Sequence, residues 1–258
     1  MTNKQLYHRI DQAAAELCAI SDDIFDHPEL SGREYHACEV LTAFLERAGF
    51  RVEKGGGGLE TAFRATWSNG AGGPNFGLLC EYDALPDLGH GCGHHAQGPA
   101  ILGAALALKD MADDKPFTIT VYGTPAEESI GGKIVMQKNG CFEELDVALM
   151  FHAGQTTTTD IKSLALSSFK VRFHGRSAHA AMAPEEGRSA LDGLMLAFQG
   201  VEYMREHVRE DTRMHYTITN GGGADNVVPA LAEGTVTLRS YNRAYLDTVV
   251  AVSYTHLT

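Results

Sequence analysis

Apolar residues recur at helical spacing through the first fifty positions, in two segments. LYHRIDQAAAELCAISDDIF carries the pattern as far as His27-Pro28, where proline removes an N–H and stops a helix. SGREYHACEVLTAFLERAGF resumes it, with Ser31 placed as an N-cap and Gly49 as a C-cap. From residue 50 the pattern changes to short strands alternating with helices. ETAFRATW and NFGLLCEY read as strands, and HAQGPAILGAALALKDMA reads as a helix. FTITVYGT, GGKIVMQKNG and VALMF follow as strand, helix and strand. Such alternation predicts an α/β domain with a largely parallel core sheet, here over residues 1–162. A second regime covers residues 163–258. Strand SSFKVRFHG and a long amphipathic helix within PEEGRSALDGLMLAFQGVEYMREHV lead to strands RMHYTITNG and AEGTVTLRSY and the start of a helix at RAYLDTVVAV. That β–α–β–β–α order predicts a smaller α+β domain inserted after the first.

Composition narrows the function classes. The 258 residues are 44% hydrophobic and carry a net charge of −12, with no basic patch interleaved with aromatics. Nucleic acid and anionic membranes are therefore disfavoured as partners. No run approaches the roughly 20 apolar residues of a membrane span, and the N-terminus lacks a signal-peptide core, so a cytoplasmic location is expected. Five scattered cysteines, at 18, 38, 80, 92 and 141, do not form a disulfide framework.

The chemistry concentrates at strand ends. CEYDALPDLGHGCGHH follows NFGLL, TPAEES follows FTITVYG, and His152 directly follows VALMF. Three strands thus deliver metal-type ligands past their carboxyl ends, the edge at which open α/β sheets form ligand sites. Cys92 and His94 flank Gly93, and a thiolate beside an imidazole suits a borderline ion such as zinc. Alone, the pair reads more readily as a buried thiol next to a helix-starting histidine; its pairing with Glu128 and His152 reverses that. Glu127 and Glu128 are adjacent; in extended backbone they point to opposite sides and divide into one metal ligand and one general base. A metal lowers the pKa of its water from about 16 towards about 7, and a nearby glutamate then accepts the proton. The bland alternative is a charged pair capping the next helix. His152 becomes a ligand only in company with the other strand ends. Asp83 is placed to fix the tautomer of a ligating imidazole, or else to shape a turn before Ala-Leu-Pro; His90 and His95 are further candidates for orienting ligands. The remaining histidines read as surface or packing residues.

These segments, with HPELSGREYHACEVLTAFLERAGF, FKVRFHGRSAHAAMAPEEGRSALDGL and ITNGGGADNVVPALAEGTVTLR, resemble the amidohydrolase, aminoacylase-like branch of the M20 metallopeptidases in order over nearly all of residues 5–250. EYDALP followed by the CGH loop most resembles p-aminobenzoyl-glutamate hydrolases and Xaa-Arg-type dipeptidases. The resemblance implies a three-layer catalytic domain with two divalent ions (zinc, or manganese or cobalt) and an inserted lid that forms a homodimer. It implies Cys92, His94, Glu128 and His152 as ligands and Glu127 as general base. It also implies His179 as an oxyanion-stabilising histidine reaching the partner's site, and Asn226 as a binder of the substrate carboxylate. The expected reaction is hydrolysis of the amide bond in N-acyl amino acids or dipeptides. Two departures stand out. His95 replaces the acidic or amide residue usual after CGH. The family also continues beyond this length with a further ligand histidine, which AVSYTHLT does not resemble, so a C-terminal truncation is expected. The alternative is therefore an inactive metal-binding or dimerising chain, distinguished by binding fewer than two ions.

Overall fold

The computed structural model describes residues 3–110, 112–159 and 161–257, and the chain divides into two compact units, Met1–Thr157 and Thr158–Thr258. In the first unit, helix α1 (Asn3–Asp26) ends just before His27-Pro28, and α2 (Tyr35–Arg47) follows. Gly49 lies at φ 83° beyond α2, where its N–H bonds Glu46 O and the N–H of Phe50 bonds Leu45 O. A side chain resists that left-handed turn, which is why glycine closes the helix. Ser31 does not cap α2: the N-cap is Glu34, with no side-chain cap bond, and the Ser31 hydroxyl instead donates to Asp83.

Strands β1 (Arg51–Gly56) and β2 (Leu59–Asn69) form an antiparallel hairpin. Then come β3 (Asn75–Cys80), α3 (His94–Asp110), β4 (Phe117–Gly123), the short α4 (Glu127–Ile130), α5 (Gly132–Lys138) and β5 (Val147–Met150). The five-stranded sheet has the order β1-β2-β4-β3-β5. The expected parallel core is β4-β3-β5, and the hairpin adds the antiparallel part through β2 and β4. Helices α1, α2 and α3 bury one sheet face: Leu17, Ile24, Leu41, Leu45, Leu102 and Ala105 pack with Ala65, Leu78, Ile119 and Val121. The other face carries a smaller cluster of Ala62, Leu79, Tyr122 and Met136. Among the described residues β5 is an edge strand, and Val147, Leu149 and Met150 are exposed.

In the second unit, β6 (Ala165–His174), α6 (Ala190–Met204), β7 (Arg213–Asn220), β8 (Leu231–Ser240) and α7 (Arg243–Leu257) follow the predicted order. The antiparallel sheet runs β6-β8-β7, and both helices pack on it. Leu194, Phe198 and Val201 of α6 meet Val236, Leu238 and Leu246 in its core. Ser189 caps α6 by accepting the N–H of Asp192. Among the described residues, no helix is long and apolar enough to cross a membrane.

Candidate metal centre

The parallel register of β3, β4 and β5 brings their carboxyl ends together, and the donors sit on the segments that leave those ends. Glu81 and Asp83 follow β3, and Cys92 and His94 close the same loop. Glu127 and Glu128 follow β4 after Thr124-Pro125-Ala126, and His152 follows β5 by one residue beyond Phe151. The structure thus gathers Cys92, His94, His152, Glu127 and Glu128. The ligand atoms of Cys92, His94 and His152 lie within 4.8 Å of one another, as do those of His94, Glu127 and Glu128.

The loop geometry depends on two left-handed residues. Gly93 has φ 85°, and a Cβ there would stand 2.7 Å from that of Ala153. Ala126 has φ 59°, unusual for a residue with a side chain. It is held by the buried Glu34 carboxylate, which accepts the N–H of Ala126 at 2.9 Å, the N–H of Gly32 at 2.7 Å and the hydroxyl of Thr61 at 2.7 Å. Glu127 and Glu128 accordingly begin a helical turn, not the extended segment that the alternating-sides argument assumed. Their separation comes from different surroundings. Glu127 is half-buried, and burial, with the charges of Glu81 and Glu128, raises its pKa. Glu128 is exposed, and its carboxylate lies close enough to the Cys92 thiol to raise the thiol's pKa.

His94 and Asp83 are each 1% exposed. His94 Nδ1 faces the Asp83 carbonyl oxygen at 2.9 Å and Asp83 Oδ1 at 3.2 Å, which assigns the proton to Nδ1 and leaves Nε2 as the donor atom. Asp83 also accepts the Ser31 hydroxyl at 2.6 Å and the Glu128 N–H at 3.0 Å. Burial raises its pKa, but these bonds and His94 outweigh that and hold it at about 2. Burial lowers the pKa of His94, and Asp83 and Glu81 reverse this to a net rise. Burial, then Glu128, pushes the Cys92 thiol up to about 12. His152 Nδ1 lies 2.8 Å from the carbonyl of Ala153, so its Nε2 is turned to Cys92 Sγ at 3.5 Å. His90 and His95 do not take up the orienting role considered for them. Their rings pack on each other and on Phe25, and burial lowers both pKa values.

The donor set fits a divalent cation. His94 Nε2 is a buried nitrogen without a hydrogen-bond partner. Around it stand a thiol and three carboxylates, and burial together with those carboxylates holds the thiol protonated, at about 12. A bound cation reverses that bias and deprotonates a coordinating thiol. Glu81, which sequence reasoning passed over, also belongs to the cluster: it is 2% exposed, with Oε2 3.3 Å from His94 Nε2.

His179 and Asn226 lie in the second unit, exposed on neighbouring turns. His179 bridges Val227, the Asn226 carbonyl accepts the N–H of Ala180 at 2.9 Å, and His179 Nδ1 accepts the N–H groups of Ala181 and Met182.

Comparison with known proteins bears on the family and the fold. The model of peptidase family M20/M25/M40 matches residues 77–242. The chain is 39% identical over 246 residues to the Xaa-Arg dipeptidase of Mus musculus, spanning 90% of this chain and 57% of that protein. It is 38% identical over 258 residues to a p-aminobenzoyl-glutamate hydrolase chain of Escherichia coli (strain K12), spanning 89% and 53%. The chain therefore spans about half the length of these relatives. Among solved structures, an aminobenzoyl-glutamate utilization protein from Klebsiella pneumoniae superposes with a TM-score of 0.73 at 21% identity, covering 98% of this chain and 74% of that one. A Bacillus subtilis protein described as a dinuclear metal binding peptidase from the M20 family gives 0.72 at 19%, covering 94% and 68%. These two likenesses establish the fold. The family match spans more than half of the sequence, and the two relatives at 38–39% identity span about nine tenths of it: the chain belongs to peptidase family M20/M25/M40.

Proposed function

We propose that this chain carries the metal centre of an amide-bond hydrolase acting on N-acyl amino acids or dipeptides. The observation that carries the reading is the convergence of Cys92, His94, His152, Glu127 and Glu128 on one sheet edge around a buried imidazole nitrogen with no hydrogen-bond partner. Cys92, His94, Glu128 and His152 hold two divalent ions, of zinc, manganese or cobalt, and Asp83 fixes the His94 tautomer. The bound ions supply Lewis-acid activation of water and of the amide carbonyl.

Glu127 is the base. Its half-buried carboxyl, with a raised pKa, takes a proton from the attacking water and returns it to the departing amine nitrogen. On the substrate side, Asn226 binds the carboxylate, and His179, supplied by the partner in a homodimer formed through residues 163–258, stabilises the oxyanion. Their adjacency on two exposed turns supports a shared role.

The test is hydrolysis of N-acyl amino acids and dipeptides, including Xaa-Arg and p-aminobenzoyl-glutamate, by the zinc-, manganese- or cobalt-loaded chain. Glu127→Gln lowers turnover by about 10²- to 10⁴-fold, the scale of general acid–base catalysis. Wild-type turnover in that variant removes Glu127 from the role. Metal uptake with no turnover on any of these substrates favours the metal-binding, dimerising alternative.

A further inference from the structure

Glu81 is a buried carboxylate at the centre of the site, and a buried charge is stable only when it is paired. It is held from two sides. Gln97 of α3 clamps it twice: Gln97 Oε1 accepts the Glu81 N–H at 2.6 Å, and Gln97 Nε2 donates to Glu81 Oε2 at 3.0 Å. Lys133 forms an ion pair with the other oxygen, Oε1. Lys133 is fixed there because α5 begins at Gly132, against the Pro125 carbonyl, where a side chain has no room.

These contacts leave Oε2 facing the ligating edge of both imidazoles, 3.3 Å from His94 Nε2 and 4.0 Å from His152 Nε2. No hydrogen bond joins Oε2 to His94, whose proton is committed to Asp83 through Nδ1. With His94 neutral, two lone pairs face the same space, and a cation between them relieves their repulsion: a proton on Nε2 in the metal-free chain, or a metal ion in its place. The spacing is that of ligands sharing an ion. Metal–nitrogen and metal–oxygen bonds of about 2.0–2.2 Å in tetrahedral geometry separate the ligand atoms by about 3.3–3.5 Å, and a 2.3 Å metal–sulfur bond gives about 3.5 Å from sulfur to nitrogen. The observed His94–Glu81 and Cys92–His152 separations, 3.3 Å and 3.5 Å, match both values.

We propose that Glu81 is itself a metal ligand of this centre, with Oε2 sharing an ion with His94 Nε2 while Lys133 and Gln97 hold the carboxylate in place. This rests on the metal-centre reading above. It gives Lys133 a defined part: its ammonium balances Glu81 when the metal is away and loses that role when the metal binds.

The test is zinc titration by calorimetry, with visible spectra of the cobalt-loaded chain, on wild type and Glu81→Gln. The substitution keeps the size and the Gln97 contacts but removes the charge. The expected result is loss of one ion, or at least tenfold weaker binding of it, with a shifted cobalt d–d band. Lys133→Met provides a second reading if Glu81→Gln fails to fold: removing the competing ammonium makes the zinc-induced rise in melting temperature larger than in wild type. Wild-type stoichiometry, affinity and spectrum in Glu81→Gln overturn the assignment, and so does an unchanged or smaller zinc-induced rise in Lys133→Met. A wild-type chain that takes up no metal overturns the centre as a whole, a result distinct from one in which wild type binds and Glu81→Gln binds equally well.

Discussion

Replacing Gly93 by alanine separates two costs that the structure assigns to one residue. At φ 85° a side chain suffers the left-handed penalty, about 1–2 kcal/mol. The new methyl also meets the Ala153 Cβ at 2.7 Å, whereas carbon atoms rest at about 3.5–4.0 Å. Relief requires a shift of about 1 Å in the segment next to His152, and overpacking of this kind costs about 1–3 kcal/mol. Gly72 supplies the control, since its φ is 80° and its added Cβ meets nothing within 4 Å. Gly72→Ala should therefore lose only the backbone part. Urea denaturation of the metal-free chain should find Gly93→Ala less stable than Gly72→Ala by about 1–3 kcal/mol. Displacing His152 should also weaken zinc binding by about 10- to 100-fold, the scale on which ligand orientation is felt. Equal stability of the two variants, with wild-type zinc affinity in Gly93→Ala, would refute the view that Gly93 allows the Cys92 and His152 segments to meet.

Further consequences follow from the supports of the site. Glu34→Ala leaves the N–H groups of Gly32 and Ala126 and the Thr61 hydroxyl without their shared acceptor; it should destabilise the chain by about 3–5 kcal/mol in urea denaturation. The Asp83 pKa is depressed from 3.8 to about 2 in the folded chain. Its stabilisation is therefore complete above about pH 4 and is lost as pH falls towards 2, a linkage of about 2 kcal/mol. The stability difference between wild type and Asp83→Asn should accordingly narrow when denaturation is repeated from pH 5 down to 3, and a constant difference would contradict it. Leu149 is 54% exposed on the β5 edge. A charge on an open edge blocks intermolecular pairing, so Leu149→Lys should reduce light scattering at high protein concentration without lowering zinc affinity.

Much of the site was legible because strand ends are legible. Apolar runs such as FTITVYG and VALMF announce their own termini, and polar residues just beyond them share one edge once the strands are parallel. Cys92, His94, Glu127, Glu128 and His152 were found that way. Glu81 was passed over although it lies two residues before Asp83, the spacing at which neighbours after a strand turn to the same side. Its partners, Gln97 and Lys133, arrive from two helices distant in sequence, and no local pattern marks them. The same holds for Ser31: a serine before a helix reads as a cap, but long-range hydrogen bonding to Asp83 outweighed the local option. Strand β1 was not anticipated because RVEKGG is polar and largely exposed, with its pairing supplied by β2. The helical turn at Glu127 depends on the left-handed Ala126, whose support, Glu34, is 92 positions earlier in the chain.

The central claim is that Cys92, His94, Glu128 and His152 form a metal centre, and metal stoichiometry tests it most directly. After dialysis against zinc and removal of free ion, elemental analysis should find two ions per wild-type chain, and fewer in His94→Ala. A wild-type chain without bound zinc, manganese or cobalt, or a His94→Ala chain that retains both ions at unchanged affinity, would contradict it.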